Sequence, residues 1–485
     1  MWIGFSVLVR PWATRCLTLK SNSMDRIGYF FLSILISFCL PGSPEACAAS
    51  PPPSGGNALL LSDLHFDPLA DPSLVKRLID APVSDWEAIF ASSKQAGYAH
   101  APQDANYPLI KSALSAAAEQ TSADFVIATG DYLRHDFQNA FLKVGGTSDE
   151  FADFATKTAV FVVHALQTTF RVPVYLALGN DDSPCGDYRV DPGGPFLAQL
   201  ADSLEVLRNH PDAAADFRVA GFCELPHPTL AGHEILVLNT VLWSLSYSNC
   251  GSDSGDPGSA EMQWLSWQLY RAKASGNQVT LMMHIPPGID SYKSSRSGTG
   301  KAATEFWRSQ FFTQFVDLMK TYAGIVQIGL AGHTHMDDFR ILSPGDSTAP
   351  IAFRITPAIS PIFGNNPAFS VLQYQASTGE VADVATYYLD LAGGVPDAKW
   401  ALEYRFSTAY GYNTFSAKTL ESLAAAIHSD PSVRHVFAGY YAASAPSPIT
   451  GENWQFYACS ETHFTSAEYG RCASSAENAP AKSDQ

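Results

Sequence analysis

Short apolar runs recur along this chain, and six of them stop abruptly at polar residues. The run at 58–62 ends at Asp63-Leu64-His65, and that at 124–129 ends at Gly130-Asp131. The run at 172–178 ends at Gly179-Asn180-Asp181-Asp182, and that at 234–238 at Asn239-Thr240. The run at 278–283 ends at His284, and that at 325–330 at Gly332-His333-Thr334-His335. Continuous apolar runs of this length, bounded by glycine and polar clusters, predict strands buried on both faces. Between them the apolar positions shift to a helical period, which predicts helices over 107–120, 150–169, 194–209, 259–274 and 303–322. Trp264 and Trp267, within the fourth of these, read as core.

Strands alternating with helices predict a layered α/β domain. Later runs at 338–342, 351–355, 369–374 and 382–390 have no clear helices between them. They predict a second, partly antiparallel sheet packed on the first. From 396 the texture turns helical, with segments at 416–428 and 431–442 and a loop-rich tail. The expected division is a leader at 1–49, a catalytic domain at 50–395 and a helical subdomain at 396–485.

Composition narrows this further. The chain has 485 residues, 46% of them hydrophobic and only 16% charged, which argues for a large core and against wholesale disorder. Net charge is −17 without a Lys/Arg stripe, so a phosphate backbone finds no basic track and nucleic acid is excluded as a partner. The apolar segment 27–40 follows Met24-Asp25-Arg26 and precedes Ala46-Cys47-Ala48, the pattern of a cleaved secretory signal with Met24 as a start. At about 20 residues needed for a span, it is short for a membrane anchor. Cys459 and Cys472 close a short loop and are the expected disulfide. Cys185, Cys223 and Cys250 form an odd set, so one of them is unpaired unless the leader ends elsewhere. A secreted or periplasmic location is the expectation.

In an extended chain, Asp63 and His65 lie on one face. Parallel strands carry ligands at their carboxyl ends. The strand ends together offer Asp63, His65, Asp131, Asn180, His284, His333 and His335. Imidazoles with carboxylates suit Zn²⁺, Fe or Mn²⁺. Seven ligands are too many for one tetrahedral ion and suit two divalent ions sharing a carboxylate. Such a pair clamps a phosphate and activates water.

The ordered blocks D-x-H, G-D, G-N, H and G-H-x-H resemble the calcineurin-like metallophosphoesterases, over residues 59 to 340 and on towards 390. Closer features are similar to the acid sphingomyelinase-like branch: Gly130-Asp-Tyr-Leu-Arg-His-Asp136, His284-Ile-Pro-Pro-Gly288, Gly332-His-Thr-His-Met-Asp-Asp-Phe339 and Asn365-Asn366-Pro367. The resemblance implies a β-sandwich of two mixed sheets flanked by helices, with a C-terminal helical subdomain. It implies one metal on Asp63, His65, Asp131 and His335, and another on Asp131, Asn180, His284 and His333. It implies hydrolysis of a phosphate ester, a lipid head group among the candidates, with nucleotides and polyphosphates as alternatives.

One block departs from the family. A histidine that protonates the leaving group usually follows the asparagine, and here Asp181 stands there. His135, four residues after Asp131, is the expected acid because its ordinary pKa lies near neutrality. Asp181 is then a helper, or the mark of a vestigial member that binds metal without turnover. His284 is also expected to stabilise charge on the phosphate.

Overall fold

The computed structural model describes residues 55–250, 255–296, 303–345, 348–394 and 398–477. The expected leader lies outside them. Two six-stranded sheets carry the fold. The first contains β1 (Gly55–Leu61), β2 (Phe125–Ala128), β3 (Val174–Leu176), β12 (Ala368–Gln375), β13 (Val381–Leu389) and β14 (Trp400–Arg405). The second contains β5 (Cys223–Pro226), β6 (His233–Val237), β8 (Gln278–Met282), β9 (Val326–Ala331), β10 (Asp338–Leu342) and β11 (Ile351–Ile355). A two-stranded ribbon of β4 (Arg189–Val190) and β7 (Ser248–Asn249) stands apart.

The order in the first sheet is β14-β13-β12-β1-β2-β3, and in the second β10-β11-β9-β8-β6-β5. β1, β2 and β3 run parallel, with Leu59 opposite Val126, while β12 meets β1 antiparallel. In the second sheet β6, β8, β9 and β11 are parallel, and the edges β5 and β10 are antiparallel. Leu59, Ile127 and Leu372 of one sheet share a continuous buried core with Ile235, Ile328 and Leu330 of the other. This is the sandwich of two mixed sheets that the resemblance implies, but the later strands do not form a sheet of their own as the pattern predicts: β12 and β13 extend the sheet of β1, while β10 and β11 extend that of β9. Each of β1, β2, β3, β8 and β9 delivers its polar terminus beyond the carboxyl end of a buried parallel strand.

Some boundaries differ from expectation for local reasons. The helix expected at 303–322 starts only at Ser309, because Glu305 and Trp307 bridge to Ile289 and Ser244 as extended chain. The helix expected at 194–209 breaks at Leu204, which is extended. Residues 400–405, expected in the helical piece, form edge strand β14 on β13. Helices Ala417–Ser429 and Pro431–Tyr440 follow as the period predicts. Trp264 donates its indole N–H to Asp216 at 2.9 Å, whereas Trp267 is exposed and stacks on Tyr270, so the second is not core. Cys459 pairs with Cys472, Cys185 pairs with Cys250, and Cys223 is buried and free. Among the described residues, no helix is long and apolar enough to cross a membrane.

Asn239 ends β6 but is internal. It donates through Nδ2 to the Ala220 carbonyl (2.7 Å), and its N–H donates to Glu261 Oε1 (2.6 Å). Glu261 is fully buried on helix Pro257–Ser275, and its Oε2 has no partner. Burial pushes its carboxyl up to about 8, with the Asn239 N–H pulling the other way. Because the folded value lies above the unfolded one, the stabilising contribution is full below pH 4.5 and is lost as pH rises through about 8. The melting temperature is therefore expected to fall across that window, and Glu261→Gln to flatten the fall. Parallel melting curves for the two proteins would contradict this.

Candidate metal centre

Five of the strand-end residues leave their strands in the left-handed region: Asp63 (φ 47°), His65 (38°), Asp131 (56°), His333 (73°) and His335 (64°). Non-glycine residues rarely adopt this conformation, and such strain gathers where a site over-determines it. It turns the side chains into the space between the sheets' carboxyl ends. Glycines let the ends crowd together. A Cβ on Gly179 would lie 2.0 Å from Asp131 Oδ1, and one on Gly332 would lie 1.9 Å from Ser62 Oγ.

All seven expected ligands converge there. Asp131 Oδ2 lies 3.4 Å from His65 Nε2 and 3.1 Å from His284 Nε2, so it stands between two groups. On one side, His335 Nε2 is 3.1 Å from His65 Nε2 and 3.4 Å from Asp63 Oδ1. On the other, His284 Nε2 is 3.2 Å from Asn180 Oδ1 and 3.3 Å from His333 Nδ1. Asp63, His65 and His284 are fully buried.

The donor set fits divalent cations. Asp63 Oδ1 is buried with no hydrogen-bond partner, which is costly for an anionic oxygen unless a positive charge sits beside it. His65 Nδ1 donates to the Leu133 carbonyl (2.9 Å), and His284 Nδ1 donates to the Thr129 carbonyl (2.8 Å). Each bond fixes the tautomer and aims a bare Nε2 into the cluster, the arrangement found behind metal-bound imidazoles. Titration follows the same logic. Burial opposes charge on His65 and His284, yet the Asp131 carboxylate holds them up at about 10 and about 9. Burial pushes His333 and His335 down to about 3, helped by the neighbouring imidazoles. Burial also opposes charge on Asp63 and Asp131, but the imidazoles keep both carboxyls well below the usual range.

Supporting residues surround this set. Asp182 accepts the backbone N–H groups of Asp131 (2.8 Å), Tyr132 (2.7 Å), Leu133 (3.2 Å) and Gly179 (2.8 Å), clamping two strand ends together. Asp187 accepts from Asn180 Nδ2 (2.9 Å), which turns the amide oxygen towards His284. The Tyr188 hydroxyl lies 3.4 Å from His333 Nε2. The Cys185–Cys250 disulfide ties down the loop that carries both residues.

His135 stands at the edge of the cluster, stacked on His65 with ring centroids 3.9 Å apart. Asp104, which the sequence did not mark, is almost fully buried and grips it twice. Its Oδ1 is 3.0 Å from His135 Nδ1, and its Oδ2 accepts the His135 backbone N–H at 3.0 Å. Ser360 Oγ donates to Asp104 at 3.2 Å. The partly exposed His135 ring thus presents Nε2, which is 3.8 Å from Asp181 Oδ2. Asp181 is buried, and burial with the nearby Asp131 charge raises its carboxyl well above the usual range.

The family model "Calcineurin-like phosphoesterase" matches residues 57–337. The human "Acid sphingomyelinase-like phosphodiesterase 3b" is 28% identical over 381 residues, covering 74% of this chain and 77% of its own length. The human "Cyclic GMP-AMP phosphodiesterase SMPDL3A" is 24% identical over 456 residues, covering 89% and 93%. A dimetal phosphatase from Danio rerio superposes with a TM-score of 0.42 at 12% identity, covering 69% of this chain and 95% of that one.

Proposed function

The chain belongs to the calcineurin-like phosphoesterase family, and from that premise we propose that it is an exported phosphodiesterase working with two divalent metal ions. The observation that carries the reading is the convergence of six further donor side chains in two groups on either side of Asp131 Oδ2. One ion would be held by Asp63, His65, Asp131 and His335, the other by Asp131, Asn180, His284 and His333. Zn²⁺ suits this imidazole-rich set best, with Fe and Mn²⁺ as alternatives. When bound, the ions supply Lewis acidity towards the phosphate and a water acidified for attack.

The chain's own residues do the rest. Asp131 would be common to both ions, and His284, held through Nδ1 by the Thr129 carbonyl, would ligate through Nε2. His135 delivers the Nε2 proton to the departing alkoxide, while Asp104, 3.0 Å from Nδ1, keeps the ring turned. Asp181 Oδ2 is 3.8 Å from His135 Nε2, beyond direct hydrogen-bond reach, so its help would pass through a water between them. The names of the relatives support a diester over a monoester. Two disulfides support an oxidising, extracellular or periplasmic setting.

Hydrolysis of bis-p-nitrophenyl phosphate is expected to vanish on exhaustive chelation and to return with Zn²⁺ or Mn²⁺. Undiminished turnover by protein stripped of metal would refute the reading.

A further inference from the structure

Phe363 is the one exposed large apolar side chain, among the described residues, whose ring contacts a histidine of the centre. It is 58% exposed. Its ring meets His335 at a centroid distance of 4.5 Å and 68°, and His135 at 5.5 Å and 79°. It therefore stands upright across the edge of the stacked imidazoles, on the side that carries His135. On the opposite side, Phe306 also meets His333 but is buried, and Tyr188 is half-buried with its hydroxyl turned to His333.

The loop beneath Phe363 is held firmly. Gly364 N–H closes a turn onto the Pro361 carbonyl (3.0 Å). Ser360 N–H donates to the Asp63 carbonyl (3.0 Å). Buried Asn365 donates through Nδ2 to the Ser360 carbonyl (3.0 Å), and buried Asn366 to the Ala443 carbonyl (2.9 Å). A large ring left mostly in water forgoes much of the gain of burial. A ligand that covers it recovers that gain.

We propose that Phe363 is a specificity-determining residue of the leaving-group side, stacking on a flat aromatic ring carried by the departing alcohol, as in a nucleoside. The proposal rests on the phosphodiesterase reading and on His135 as the acid. A ring set edge-on to the His135 and His335 imidazoles matches one flat ligand ring, whereas an acyl chain needs a continuous apolar track. A nucleoside leaving group is itself uncharged, so the net charge of −17 does not repel it as it would a polyphosphate.

The test compares a dinucleoside monophosphate with its analogue lacking the base on the leaving side. Wild-type protein is expected to prefer the base-bearing diester. Phe363→Leu is expected to lower kcat/KM for it about fivefold to a hundredfold, mainly through KM, the range that stacking on a base supports. The abasic diester and the metal content are expected to be unaffected, and Phe363→Trp to keep the preference. Equal losses on both diesters, no loss on either, or a wild-type enzyme indifferent to the base would each overturn the proposal. Bis-p-nitrophenyl phosphate serves as control: if the wild type fails on it too, the phosphodiesterase reading has failed first.

Discussion

Asp131→Asn is expected to cut phosphodiester hydrolysis by at least about a thousandfold and to leave the chain unable to retain a full pair of metal ions. The substitution keeps the shape of the side chain and removes its charge. Asp131 Oδ2 lies within 3.4 Å of imidazole nitrogens from both groups, and its Oδ1 accepts the Asp181 N–H at 2.8 Å. An amide retains one acceptor oxygen but neutralises the one anion common to both sites. Several kcal/mol of charge stabilisation depend on it, and each 1.4 kcal/mol is about tenfold in rate. Metal analysis run beside steady-state kinetics checks the outcome. A variant with full metal content and near-normal turnover would show that Asp131 is not the bridge.

His135→Ala is expected to have an effect that depends on the leaving group. On diesters with an alkoxide leaving group, kcat should fall about 10²–10⁴-fold, the usual contribution of a positioned general acid. On bis-p-nitrophenyl phosphate it should change little, since p-nitrophenolate departs without a proton. The geometry behind this is the Asp104 carboxylate 3.0 Å from Nδ1, which leaves Nε2 facing the cluster. Equal losses on both substrate types would assign His135 a merely structural role. No loss on either would move the proton donor to Asp181, whose raised carboxyl is the nearest alternative.

The strand ends were the most legible part of the chain. A strand buried on both faces is mostly apolar: β2 is buried throughout and β1, β8 and β9 at their carboxyl ends, so each ends as an apolar run. Whatever follows such a run is committed to the rim, and this placed Asp63, Asp131, His284 and His333 before any coordinates. Asp104 escaped because it sits in an irregular loop and meets His135 across 31 residues. Asp182 was visible only as a second carboxylate beside Asp181. Its role as a clamp on four backbone N–H groups depends on two loops meeting in space. Edge strand β14 is mostly unburied, with Ala401 and Leu402 exposed, so its pattern blended into the helical texture that follows. The Cys185–Cys250 pairing spans 65 residues, a separation no spacing rule could select from three candidates.

The most direct test of the account is the divalent metal content of purified chain equilibrated with Zn²⁺ or Mn²⁺ and freed of excess ions. Two ions per chain, reduced by substitution at Asp63, Asp131 or His284, is the predicted result. A chain that retains none, or whose retention ignores those substitutions, would contradict it.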